Sequence, residues 1–140
     1  MMTLFSYWYL FLITTLTSPP TSSIDLTIQN IKTGAGSIKI ALYNAPTDFP
    51  KQTKAYKVGE VSAQKPQVSY SFENIPAGDY AIALYHDVNA DDELNFKMFF
   101  IPKEPYGFSN NFVPKFSKPG FDDAKFQVKN DTEINIKLIH

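Results

Sequence analysis

Six stretches of the chain repeat apolar residues at period two. They are Ile24, Leu26 and Ile28; Ile38, Ile40 and Leu42; Val68, Tyr70 and Phe72; Tyr80, Ile82 and Leu84; Ala124, Phe126 and Val128; and Ile134, Ile136 and Leu138. Successive side chains of a strand point to opposite faces, so this spacing predicts six short strands, each with one face buried. Tyr56 to Val61, around Gly59, predicts a seventh at a sheet edge. The stretch Gly78 to Asp87 is apolar on both faces, with Ala81, Ala83 and Tyr85 opposite Tyr80, Ile82 and Leu84. It reads as the central strand. The turn residues of Lys32 to Gly36 predict a hairpin between the first two strands, and Asn74 to Gly78 a second hairpin leading into the central one. Asn44 to Pro50, with two prolines, reads as a loop.

The stretch from Val88 to about Gly120 shows no regular period. It carries prolines at 102, 105, 114 and 119 and glycines at 107 and 120. Loops longer than about 12 to 15 residues normally have a function or short structure of their own. Eight aromatic residues (Phe96, Phe99, Phe100, Tyr106, Phe108, Phe112, Phe116 and Phe121) predict that it packs against the sheet. No helical period stands out beyond the N-terminus. The pattern predicts an all-β protein, an antiparallel sandwich of about seven strands with one long loop after the central strand.

Composition narrows the function classes. A chain of 140 residues, 44% hydrophobic and 15% aromatic, suffices for one domain with a core. Its thirteen cations are all Lys and its net charge is -1. With no basic surplus, nucleic acid is excluded as a partner, and the missing Arg fork argues against a phospho-ligand site. The absence of Cys excludes disulfides, thiolate metal sites and cysteine nucleophiles. Leu4 to Leu16 is a neutral apolar run followed by Ser, Thr and Pro. Thirteen residues are shorter than the roughly 20 that span a bilayer. The run matches the core of an export signal, with an uncleaved membrane-associated helix as the alternative. The expected organisation is a signal over 1–23, with Ser22-Ser23 at the cut, then one exported domain over 24–140 without a transmembrane span.

Candidate chemistry concentrates just beyond the central strand. Asp87, Asn89, Asp91, Glu93 and Asn95 place oxygen side chains at alternate positions, the kind of donor set calcium takes from one flexible loop. Two carboxylates ~5 Å apart repel by roughly 3 kcal/mol at an effective dielectric near 20, so converging them would need a cation. An EF-hand is excluded, because Asp92 holds its glycine position and Met98 its bidentate glutamate position. The competing reading is a solvated acidic turn capped by its own side chains. His86 shares the inner face of the central strand and reads as a core-edge imidazole. Ser109, in Tyr106-Gly107-Phe108-Ser109-Asn110, lacks the surroundings of a hydrolase nucleophile. There Gly107 is expected to turn the chain, Tyr106 and Phe108 to pin the loop, and Ser109 and Asn110 to bond its backbone. His140 is expected to be exposed.

The run Phe72 to Asp87 (FENIPAGDYAIALYHD), followed by Asn89, Asp91 and Asn95 and then by Pro102 to Asn110 (PKEPYGFSN), resembles the exported bacterial family known as domain of unknown function 2141, from about Leu26 to Leu138. The resemblance implies an immunoglobulin-like or transthyretin-like sandwich and carries no established activity. The turn before Tyr80 also looks like that of sandwich modules in which a tyrosine hydroxyl returns to the backbone as a corner. The expected function is a non-enzymatic binding or structural module, stabilised by calcium if the acidic turn holds it, for an extracytoplasmic ligand or protein. Two alternatives stand beside it. One is a small metal-assisted hydrolase using His86 with Asp87, Asp91 or Glu93, which a cleft joining His86, Glu104 and Ser109 would favour. The other is a sugar-binding module using Tyr85, Tyr106 or Phe112.

Overall fold

The computed structural model describes residues 17–97 and 101–140. The apolar run Leu4 to Leu16 lies outside them, as do Met98, Phe99 and Phe100. Eight strands form two facing sheets. In the first, β1 (Thr21–Gln29) lies between β4 (Gln67–Pro76) and β10 (Thr132–Lys137). The second runs β3 (Lys57–Ser62), β2 (Ser37–Tyr43), β5 (Gly78–Asp87). The far edge of β5 is shared by β9 (Phe126–Val128) at its start and β8 (Tyr106–Phe108) near its end. A separate ribbon pairs β6 (Phe96–Lys97) with β7 (Ile101–Pro102).

The fold is the expected all-β sandwich, with β5 inside its sheet and β3 at an edge, but its connectivity differs. The two expected hairpins do not form. β1 pairs with β4 and β10, whereas β2 pairs with β3 and β5. Likewise β4 and β5 lie in opposite sheets, and the chain crosses between them at residues 76–78. Alternation says which side chains face the interior. It is satisfied equally when two consecutive strands pair side by side and when they face each other across the core. At this crossing the Tyr80 hydroxyl donates to the Pro76 carbonyl at 2.8 Å.

The sandwich is also not wholly antiparallel, because β1 and β10 run parallel from Ile24 opposite Thr132 to Gln29 opposite Lys137. Parallel neighbours need a long connection, and here nearly the whole chain supplies it. β1 begins at Thr21, with Ser22 opposite Ile75 and the Ser23 N–H donated to Asp131 Oδ1 at 2.8 Å. The expected boundary at 23–24 therefore falls inside a paired strand. Among the described residues no helix is long and apolar enough to cross a membrane.

The core lies between the sheets. Ile24, Leu26, Ile28, Phe72 and Ile136 of the first meet Ile38, Ile40, Leu42, Ile82 and Leu84 of the second, all buried. Burying each such side chain contributes about 1.5–3 kcal/mol. Beyond β10 the chain changes sheets: Leu138 N–H bonds the Gln29 carbonyl, and Ile139 exchanges both backbone bonds with Tyr106.

A second, smaller core sits on the outer face of the second sheet. There Tyr43, Phe49, Phe121 and Ala124 cover Ala41 and Ala81. Phe49 packs edge-on to Tyr43, ring centroids 5.1 Å apart, and to Phe121 at 6.2 Å. Phe121 and Ala124 come from α1 (Phe121–Ala124). The stretch after β5, expected to be irregular, carries β6, β7, β8 and a 3-10 turn at Ser109–Asn111. Its aromatic residues do not all pack: Phe96 is half exposed and Phe116 fully exposed.

Candidate functional site

The acidic turn is held by its own side chains. Asp87, fully buried at the end of β5, accepts the N–H groups of Asp91 at 3.3 Å and Asp92 at 3.0 Å. Asp91 accepts the Glu93 N–H at 2.9 Å and the side-chain amides of Asn89 and Asn95 at 2.7 and 2.9 Å. These donors, the Glu93 backbone first and then Asn95 and Asn89, hold the Asp91 carboxyl below the usual carboxylate range. Ala90 and Asp92 adopt left-handed backbone, φ 56° and 60°, so the turn closes without glycine. Of the five expected oxygen ligands, Asn89 and Asn95 present amide nitrogen to Asp91, Asp87 faces backbone, and Glu93 is exposed. Among the described residues no group of three or more acidic or histidine side chains converges as a metal site.

Sequence reasoning missed two partners of this turn. Glu104 accepts the Asn95 N–H at 3.0 Å and its amide at 3.1 Å, tying the turn to the returning chain. Lys39 of β2 joins Glu60, at 2.8 Å, and Asp92. The Asp92 and Glu60 carboxylates hold its ammonium well above the usual lysine range, and Lys39 with Ser37 holds Glu60 low. Lys39 lies 53 residues from Asp92, and Glu104 lies nine from Asn95 across the β6–β7 ribbon, so neither partnership follows from the alternate spacing within the turn.

The YGFSN stretch and Asn111 form a clamp. Ser109, fully buried, accepts the Ile82 N–H at 2.9 Å and donates to the Ala124 carbonyl at 2.5 Å. Asn110, left-handed at φ 62°, donates its amide to Lys125 O at 2.8 Å. Asn111 donates to Asn135 O at 3.1 Å and accepts the Lys137 N–H at 2.8 Å, so its side chain pairs with the β10 backbone as a peptide group would. Gly107 sits where a Cβ would come within 2.6 Å of Ile136 Cγ2. Its role is close approach inside β8 rather than a turn. Tyr106 and Phe108 pack edge-on, centroids 5.9 Å apart.

His86 is fully buried, with Nε2 2.7 Å from the Ala35 carbonyl and its backbone N–H on Pro105 O. Because a carbonyl only accepts, Nε2 donates; Nδ1 is buried without a partner. The structure does not bring His86 and Ser109 together. Ser109 bonds Ile82, four residues from His86 along β5, or about 13 Å at strand rise. His140 is exposed, with Nε2 2.8 Å from the Asn30 carbonyl.

What the residues build, and sequence reasoning did not foresee, is a cavity of about 970 Å³ over the outer face of the second sheet. Ala41 and Ala83 floor it, and their single methyl groups leave room that larger outward side chains would fill. Tyr85, Tyr106 and Phe108 line it from the sheet, with Gln52 and the segment around Pro114 to Pro119 bounding it from the covering loops. The exposed Phe96 and Phe116 also line it. Tyr85 is buried and its hydroxyl has no hydrogen-bond partner. Burial pushes that hydroxyl above the usual tyrosine range; the Gln52 side chain is near enough to oppose the shift but not in bonding geometry. The sequence signal was the apolar outward face of the central strand: an outer face meant for water would be polar.

A family model described as an uncharacterized protein conserved in bacteria, DUF2141, matches residues 26–136. No curated protein and no solved structure matches the chain.

Proposed function

The chain belongs to DUF2141, a family of proteins conserved in bacteria, and from that premise we propose that it is an exported, non-enzymatic binding module holding a small, mainly apolar molecule over its second sheet. One observation carries the reading: a cavity of about 970 Å³ with a mainly apolar lining that includes Tyr85, whose hydroxyl is closed off from water and has no partner. Small-molecule sites run to roughly 300–1,000 Å³ and combine an apolar lining with a few polar groups. An unpaired buried hydroxyl costs about 1–3 kcal/mol, which a bound acceptor would relieve. Binding without chemistry fits the other polar groups, since His86 and Ser109 are buried and bonded to backbone while the turn carboxylates are engaged with N–H donors. Export follows from the N-terminal apolar run.

The test is Nile red, a neutral dye that fluoresces in apolar sites. The purified chain should bind it saturably, and Ala83→Phe, which fills the floor with a ring, should abolish binding while the variant still unfolds cooperatively. Unchanged binding by Ala83→Phe would sink the reading.

A further inference from the structure

Resting on that reading, we propose that the occupant is an anionic amphiphile, its apolar body in the cavity and its acidic headgroup at the lysine rim beside Tyr85. The charged residues lining the cavity are four lysines, with no carboxylate among them. Lys39 is spoken for, bonded to Glu60 and Asp92. The other three, Lys51, Lys115 and Lys118, are exposed, and none forms an ion pair among the described residues. A protein of net charge -1 thus gathers three uncompensated cations around this apolar cavity. That arrangement complements a ligand with one acidic end.

The unpartnered hydroxyl lies on the same side. Lys51 and Gln52 are neighbours, and the Gln52 side chain approaches Tyr85. The hydroxyl is closed off from water, so a headgroup seated between Lys51 and Tyr85 accepts its hydrogen bond by displacing the neighbouring Gln52 side chain, while lysines offset the charge. Hydrogen bonds to a charged group are worth roughly twice those between neutral groups, so a carboxylate or sulfonate satisfies this donor better than a neutral ligand would. The exposed rings of Phe96 and Phe116 supply apolar surface for the body as it enters.

Two probes and two competitors separate the possibilities. Dodecanoate, below its micelle concentration, should displace both Nile red and the anionic dye 1-anilinonaphthalene-8-sulfonate from the purified chain; dodecyltrimethylammonium should displace them far less. The combined substitution Lys51→Gln, Lys115→Gln and Lys118→Gln should weaken dodecanoate about tenfold or more, each exposed charge being worth up to about fivefold, and leave Nile red unchanged. Tyr85→Phe should weaken dodecanoate about tenfold yet raise Tm, since it removes a buried donor without a partner. Equal displacement by both surfactants, with no loss in the lysine variant, would overturn the anionic assignment and leave the binding reading standing. Failure of Nile red to bind, or Nile red binding that Ala83→Phe leaves intact, would remove the binding reading and this proposal together, whereas failure of the anionic dye alone would overturn only the anionic assignment. Dye binding that weakens as protein concentration rises would show a second copy of the chain covering the face, which also overturns it.

Discussion

The two sheets share one core but end in opposite kinds of outer surface. The first sheet turns Asp25, Ser69, Ser71, Glu133 and Asn135 to water, where Ser71 donates to Asp25 at 2.8 Å and to Glu73 at 2.9 Å. The second turns Ala41, Tyr43, Ala81, Ala83 and Tyr85 outward and covers them with two loops and α1. A sheet with one wet face is complete when its inner face is buried. An apolar outer face must be covered again, and the cover here leaves space inside. Function is therefore expected on the second sheet's outer face, where the hydroxyl of Tyr85 stays buried and unpaired.

The largest test of this contrast compares two serines. Ser109 holds the cover on, accepting the buried Ile82 N–H and donating to Ala124. Ser109→Ala leaves both groups unpaired and should cost about 3 kcal/mol. Ser71 also bonds two partners, Asp25 and Glu73, but in water, and Ser71→Ala should change stability by less than about 0.5 kcal/mol. Urea unfolding measures both; equal costs would mean that the covered face is no more tightly held than the open one.

That contrast was partly legible in the residues. Alternation placed nearly every core strand, because Ile38, Ile40, Leu42 and their counterparts have to be buried together whatever the connectivity. Topology was hidden because period two does not distinguish a hairpin from a crossing, so residues 76–78 read as a turn within one sheet. The doubly apolar β5 was visible, yet the cavity above it depends on how far residues 44–56, 94–97 and 101–119 stand off from Ala83, which no spacing encodes. The run of acidic and amide residues in the turn was visible, but its partners Glu104 and Lys39 were not, and the orientation of the Asn89 and Asn95 amides is set by Asp91 and Glu104 rather than by their own positions.

Alkaline titration should expose the covered face next. Burial pushes the Tyr43 hydroxyl up to about 12, against about 10 in an unfolded chain. A raised folded pKa contributes stability that is complete below pH 10 and lost as pH rises to about 12. With one unit worth 1.36 kcal/mol, the loss is about 2 kcal/mol after allowing for a partly relaxed site. Tyr43→Phe should flatten the stability curve over that window. An unchanged slope would mean that Tyr43 is open to water, and that the second core does not close.

The smallest effect is expected at the acidic turn, which lies outside both faces. Its donors lower the pKa of Asp91, so the stability they give is present above the unfolded value near 4 and lost as pH falls through the lower folded one. Asp91 is exposed, so solvent screens the effect. Asp91→Asn, which keeps an oxygen for Glu93, should make stability fall less steeply on that acid limb. Calcium tests the same geometry from the other side. To ligate through oxygen, Asn89 and Asn95 would have to turn their amides and release Asp91, leaving its charge to the cation. The melting midpoint should therefore coincide in EDTA and in millimolar calcium. Saturating calcium at about 100 times its Kd would add about 2.7 kcal/mol and several degrees, and a rise of that size abolished by Asp91→Ala would show that the turn rearranges into an ion site.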